Sequence, residues 1–331
     1  MGTYKGIQGY MVESLASDPG TISEVIGKLW YNSGSNVWKI GKEGSGAWSS
    51  GGDVNTGRIN FDFCGTQTAA LISLGEGPAG DKNRTEEYNG TSWAETNNAN
   101  TARQSGAGFG TQTAGVDVGG HDAPNVASVA TEEYNGSNWT TVNDCNSGGQ
   151  QGGGAGIQTA GMWFGRYTWP SPGLRNVSEA YDGTTWTNTN NLNNARSKNT
   201  GGGTSTAAIT AGGSTPAKTV KTETYNGTSW TEVTDMNSAR GAMACSTAGT
   251  TTSYLVAGGV TPGITALTEL YNGTSWTEVA DLATARTSLG GAGTGSEALA
   301  MSGSAPPTPG YSVATEEWDS PNYEAATVTT S

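Results

Sequence analysis

The chain has 331 residues, of which 34% are hydrophobic and 14% charged, with 52 glycines. That is enough chain for a sizeable core, but too few apolar residues for one thick globular core. The net charge of −13 excludes the basic footprint that nucleic-acid binding requires, and no run of about 18 apolar residues offers a membrane span.

The first segment, 1–47, opens MGTYKGIQGYMVES. It lacks the basic start and apolar run of a secretory leader, so a place outside a cell would be reached by assembly or lysis. Two hydrophobic phrases follow, IQGYMV and LWYNSGSNVW. Two readings stay open for this segment: a hairpin that docks on a neighbouring subunit, or an extra strand on the side of the array that follows.

From Trp48 onward the sequence repeats. The phrase YNGTSW stands at 88–93, 225–230 and 271–276, with near copies at 134–139 (YNGSNW) and 181–186 (YDGTTW). A worn copy at 318–323 (WDSPNY) exchanges the two aromatics. Trp48, Trp93, Trp139, Trp186, Trp230 and Trp276 are spaced by 45, 46, 47, 44 and 46 residues, a period typical of propeller or solenoid arrays. Tyr88, Tyr134, Tyr181, Tyr225 and Tyr271 open the phrases. Two residues before each opening aromatic is a glutamate: Glu86, Glu132, Glu179, Glu223, Glu269 and Glu316. Ten residues after each Trp come Arg58, Arg103, Arg196, Arg240 and Arg286, with Gly149 in the one exceptional unit. Further on, an apolar run closes on glycine, doubled at Gly119–Gly120, Gly212–Gly213 and Gly258–Gly259, and single or split at Gly75, Gly165 and Gly303.

Within a unit the pattern predicts strands. TEEYNGTSWAET reads as two short strands joined at Asn-Gly, where both turn residues tolerate positive φ. Alternation puts Glu86 and Tyr88 on one face. TSYLVAGGV (252–260) and TAAITAGGS (206–214) read as apolar inner strands ended by glycine. The preceding runs, such as RGAMACSTAG (240–249), are small enough for strands near a crowded axis. GTQTA at 65–69 and 110–114, with GIQTA at 156–160, reads as the turn between the first two strands. No helical periodicity is present. The expectation is an all-β chain of four-stranded antiparallel units, closed into a ring without open edges.

An Arg, an apolar strand ending in Gly-Gly, then Tyr and Trp about five residues apart, at this period, resembles the kelch repeat. Arg240, Gly258–Gly259, Tyr271 and Trp276 form the cleanest copy; Arg196, Gly212–Gly213, Tyr225 and Trp230 form the next. The resemblance covers 48–326, leaves 327–331 as a tail, and implies a six-bladed β-propeller. The blade with Gly149 and Gly165–Arg166 departs from the pattern. The Trp48 strand is expected to complete the blade holding 286–318, which leaves the Tyr323 strand surplus or competing for the same edge. The phrase style is similar to kelch-like repeats in tailed-bacteriophage and marine-virus structural proteins. Eukaryotic versions usually carry a helical adaptor domain, and 1–47 does not read as one.

The recurring Glu and Arg read as buried forks that fix loops to strands, because a planar guanidinium matches a carboxylate. The phrase Tyr and Trp read as packing between blades. GMWFGRYTWPSPG (161–173) brings Trp163, Phe164, Tyr167 and Trp169 into the irregular blade and is the candidate binding loop, set against packing on a neighbouring domain or subunit. His121, the single histidine, cannot form a triad or a tetrahedral metal site without distant help. One histidine also excludes the two-histidine copper set of the galactose-oxidase type, and Asp182 directly against Gly183 fails the sialidase repeat spacing. Cys64, Cys145 and Cys245 read as buried small apolar residues. Asn-X-Ser/Thr triplets at Asn89, Asn135, Asn226 and Asn272 are explained by turn chemistry. No catalytic residue, metal or cofactor is expected.

The sequence therefore reads as a non-enzymatic virion protein of a tailed bacteriophage, in a tail, fibre or surface-decoration role. It would dock on other virion proteins through 1–47 and be oligomeric in the particle. Host-surface glycan adhesion and pure architecture compete as its role. The rival from another class is a cellular kelch scaffold gripping a protein; a polysaccharide-active enzyme is a more distant one.

Overall fold

The computed structural model describes residues 13–19, 27–43, 46–80, 82–122, 126–169, 173–306, 310–320 and 323–328. The chain divides into two compact units, 1–46 with 320–331, and 47–319. The phrase IQGYMV lies outside the described residues.

In the first unit β1 (Glu13–Leu15) pairs in parallel with β2 (Leu29–Asn32), and β2 pairs antiparallel with β3 (Val37–Glu43). Trp30 and Asn32 are buried, and both donate to the Asp18 carboxylate. Among the described residues the N-terminal strands belong to a sheet that shares no ladder with the repeat.

The second unit begins with β4 (Ala47–Ser50) and then builds six four-stranded antiparallel sheets. The first blade is β5 (Asp62–Gly65), β6 (Ala70–Ser73), β7 (Thr85–Tyr88) and β8 (Trp93–Thr96). The second is β9 (Ala107–Thr111), β10 (Ala114–Val118), β11 (Thr131–Tyr134) and β12 (Trp139–Thr141). The third is β13 (Gly153–Ile157), β14 (Ala160–Thr168), β15 (Gly173–Tyr181) and β16 (Trp186–Asn188). The fourth is β17 (Gly202–Thr204), β18 (Ala207–Ala211), β19 (Thr222–Tyr225) and β20 (Trp230–Val233). The fifth is β21 (Ala244–Cys245), β22 (Tyr254–Ala257), β23 (Thr268–Tyr271) and β24 (Trp276–Val279). The sixth is β25 (Gly290–Gly293), β26 (Glu297–Met301) and β27 (Thr315–Asp319), completed by β4.

The ring closes on itself. Innermost strands pack in succession, β5 on β9, β9 on β13, β13 on β17, β21 on β25 and β25 back on β5; Gly203 N donates to Thr247 O across the remaining boundary. Small residues allow this. A Cβ on Gly201 would sit 2.4 Å from Gly154 O, and one on Gly291 2.4 Å from the Cys245 backbone. This is the architecture of a β-propeller.

The low apolar content has a direct explanation. The buried apolar residues form six separate clusters, one at each blade boundary, instead of one central core. Each phrase Trp sits in such a cluster and donates its indole N–H backwards to the residue preceding the glutamate of the previous blade. Trp93 bonds Thr315 Oγ1, Trp139 Thr85, Trp186 Thr131, Trp230 Ser178 and Trp276 Thr222. Trp48 bonds Thr268 in the same way, so the N-terminal strand completes the ladder.

Two expectations, the turn and the end of the repeat, need correction. The YNGTSW hairpin does not turn on Asn-Gly alone. Tyr88 pairs with Trp93 across a four-residue loop in which only Gly90 has positive φ. Asn89 Oδ1 accepts the amides of Thr91 and Ser92, so the side chain stands in for the missing backbone partner. As expected, the Trp48 strand completes the last blade: Trp318 pairs with Trp48, their rings 5.6 Å apart, and Tyr323, surplus to that blade, begins β28 (Tyr323–Thr327), which pairs with β3. The edge being occupied, the chain leaves the last blade at Asp319, and the repeat ends there instead of at 326.

Candidate functional site

Strand order puts the 66–69-type turns and the YNGTSW loops on one face of the ring. The β6–β7-type loops and the crossovers between blades lie on the opposite face, and the site is built there.

Each crossover is held by the same clamp. Glu223 accepts Arg196 Nη2 at 2.5 Å, and Arg196 Nη1 donates to the carbonyls of Gly212 and Lys221, the two ends of the loop after the inner strand pair. Arg240–Glu269 (2.7 Å), Arg286–Glu316 (2.8 Å) and Arg58–Glu86 repeat it, and Arg103–Glu132 repeats the ion pair with Arg103 Nη2 on the Asp117 carbonyl instead, all essentially without solvent exposure. The second glutamate oxygen accepts a crossover amide: Asn55, Asn100, Asn146, Asn193 or Asn237, and Ala283 in the last blade. Each of those asparagines also donates to the carbonyl of the phrase Trp. They recur three residues before the clamp position, a signal present in the sequence but overlooked. Likewise Gln67, Gln112 and Gln158 of the GTQTA-type turns donate to backbone carbonyls of the preceding blade.

The third blade keeps the clamp by another route. Gly149 offers no guanidinium, and Arg166 supplies it instead, pairing with Glu179 and Ser147 Oγ while lying 3.9 Å over the Trp163 ring. Gly149 is what admits it: a Cβ there would sit 2.5 Å from Arg166 Cδ. Arg166 Nη1 has no partner. Beyond this point β14 and β15 run on as an extended hairpin, with a bulge between Phe164 and Arg166 that leaves Gly165 out of the ladder.

This hairpin divides the candidate loop. Trp163 and Phe164 are fully buried in two inter-blade clusters and belong to the core, contrary to their assignment as binding residues. Their burial follows from position, because they precede the glycine at which each inner strand ends. Tyr167 and Trp169 lie beyond it, half-buried, with rings stacked 6.1 Å apart. Residues 170–172 lie outside the described residues.

A cleft opens on each side of the hairpin. One, of about 390 Å³, is lined by Trp169, Gln150, Gln104, His121, Glu76 and Lys82 among others. Partial burial and the nearby Lys82 hold the His121 imidazole below its usual pKa, so it is neutral at pH 7, and its Nδ1 has no partner. The other, of about 470 Å³, is lined by Tyr167, Leu174, Gln150, Lys198 and Lys218 among others.

Between these clefts and the ring axis runs a collar. Ser105 N donates to Asn60 O (2.6 Å), Gln151 N to Ser105 O (2.7 Å), Lys198 N to Gln151 O (2.7 Å), Ala242 N to Lys198 O (3.0 Å) and Ser288 N to Ala242 O (3.0 Å). All six residues have φ between 52 and 62°. One backbone geometry thus presents six positions that carry five kinds of side chain, serine occurring twice, a variety that suits a recognition surface. The cavity under the collar is about 100 Å³, too small for a sugar, against the roughly 300–1,000 Å³ of ligand pockets.

Asp62 faces that cavity, fully buried, with neither carboxylate oxygen hydrogen-bonded. Burial and the charge of Asp117 push its pKa well above the usual range, and burial pushes Asp117 to about 7. Burial thus biases both carboxyls towards the protonated form. Among the described residues no group of three or more His, Cys, Asp or Glu is placed to hold a metal ion, and no helix is long and apolar enough to cross a membrane. Cys64, Cys145 and Cys245 are buried free thiols.

No protein-family model matches the chain, and no curated protein matches its sequence.

Proposed function

We propose that the protein is a non-enzymatic structural and binding component of a tailed-bacteriophage virion, in a tail, fibre or surface-decoration role. The resemblance of its repeat and phrase style to such proteins supports this reading, and it is an argument from likeness of fold and style. The unit of 1–46 and 320–331 attaches the chain to other virion proteins; its Trp38 is 39% exposed beside Tyr31, an apolar pair suited to a protein contact. The chain is oligomeric in the particle. The clefted face binds a host-surface glycan.

One observation carries the glycan step. The blade whose clamp arginine comes from its own hairpin is the blade that extends a stacked Tyr167–Trp169 pair between two polar clefts. Flat aromatic faces beside amides and hydroxyls are what a sugar ring needs, an apolar surface for its C–H face and partners for its hydroxyls.

The test is retention of the purified chain on host cells. Tyr167→Ala and Trp169→Ala should each weaken it roughly ten- to thirtyfold, as truncation of an aromatic hot spot does, with the melting temperature unchanged. Undiminished retention would move the reading to pure architecture. Trp163→Ala cannot serve, since it would empty a core site. Release of reducing ends from host polysaccharide would instead indicate an enzyme.

A further inference from the structure

We infer that the cleft between Tyr167, Lys198 and Lys218 takes the acidic group of a charged sugar. This rests on the glycan-binding reading and names the class of glycan.

The chain carries a net charge of −13, and its cations in the blade unit are largely committed. Six arginines are buried against six glutamates. Arg84 pairs with Glu95, and Lys221 with Glu232 and Asp235. Lys198 and Lys218 are different. Neither has a carboxylate partner among the described residues, and no acidic side chain lines their cleft. Lys218 Nζ donates to Ser214 Oγ at 2.9 Å, which leaves its other N–H groups for a ligand.

The two ammonium groups also act on each other. Burial and the charge of Lys198 together lower the Lys218 pKa. Two like charges held in one cleft, with no counter-charge from the protein, form a site that an anion relieves. Gln150, Ser197 and Ser214 line the same cleft, so polar side chains are at hand for sugar hydroxyls. Tyr167 supplies the apolar wall. An acidic peptide would satisfy the lysines as well, but it has no use for the stacked Tyr167–Trp169 platform.

The repeat itself supplies clean variants. Lys198 occupies the collar position that is Gln151 in the third blade, at φ of 56 and 61° respectively, so Lys198→Gln keeps a side chain the backbone already accepts. The experiment presents the purified chain, and the Lys198→Gln/Lys218→Gln variant, with an array of uronate-, sialate- and sulfate-bearing oligosaccharides, their neutral counterparts, and poly-glutamate.

The expected result is binding to acidic glycans about ten- to a hundredfold tighter than to the neutral counterparts, weakened by salt and lost in the double variant. Preference for uronate or sialate over sulfate would identify the anion as carboxylate, and the reverse as sulfate. Equal binding to neutral glycans overturns the inference and leaves glycan adhesion standing. Poly-glutamate bound as tightly as any glycan also overturns it. No glycan bound by a folded chain overturns both readings.

Discussion

Replacing Arg166 with glycine is expected to destabilise the blade unit by roughly 3–5 kcal/mol, the usual cost of removing one partner from a buried ion pair. Glu179 would stay behind with no solvent exposure and no guanidinium. For a unit of this size the melting temperature should fall on the order of 10 °C. Gly149→Arg alone should also destabilise, because the new side chain begins inside the space of Arg166. The two together should recover most of the loss, since they rebuild the arrangement that Arg196 and Glu223 make in the next blade. The coupling between the sites would then be several kcal/mol, measured by a double-mutant cycle in urea. The same double variant should pin the loop ends again and displace the Tyr167–Trp169 hairpin, so its glycan binding should drop although its stability recovers. A double variant no more stable than Arg166→Gly would contradict the relocated clamp.

The second large effect concerns pH. The native state raises Asp117 to about 7 and Asp62 well above the ordinary carboxyl value, chiefly by burial. Between about pH 4 and 7 the folded chain therefore favours protons on both carboxyls that the unfolded chain releases. Stability from this pair is greatest at low pH and is lost as pH rises through that window, with Asp117 alone accounting for an amount on the order of 4 kcal/mol. Arg103, itself paired with Glu132, pulls both carboxyls back and limits the loss. Asp62→Asn removes one of the two titratable carboxyls while keeping the shape. Its melting temperature should exceed that of the wild type at pH 8, and the difference should shrink towards pH 4. A variant less stable at pH 8, or a difference independent of pH, would show that the pair is not protonated as described.

Much of the architecture was legible because the repeat states it several times over. The spacing of Trp48 to Trp276 gives the period, and Arg with Glu at fixed offsets gives the clamp before any coordinate is seen. What was not legible depends on contacts across blade boundaries. Asp62 and Asp117 lie on different blades, so nothing local marks either as half of a buried pair. Arg166 was visible as an anomaly beside Gly165, yet its role follows only when Gly149 and Arg166 are seen to share one space. The turn was misread for a different reason. Asn-Gly suits a two-residue hairpin, but an asparagine that caps two amides favours the longer loop. Of the candidate site, Tyr167 and Trp169 were legible as non-repeated aromatics. Trp163 and Phe164 were grouped with them because neighbours in sequence were taken as neighbours in exposure, and the inner strand ends between the two pairs.

The most direct measurement is immunogold electron microscopy of native particles, using antibodies raised against the intact folded chain. A virion component predicts gold on the particles: at a tail tip or fibre if the clefted face serves adhesion, over the shell if the ring decorates it. Bare particles, with the protein recovered only from cell lysate, would contradict the virion reading and place a cellular kelch scaffold first.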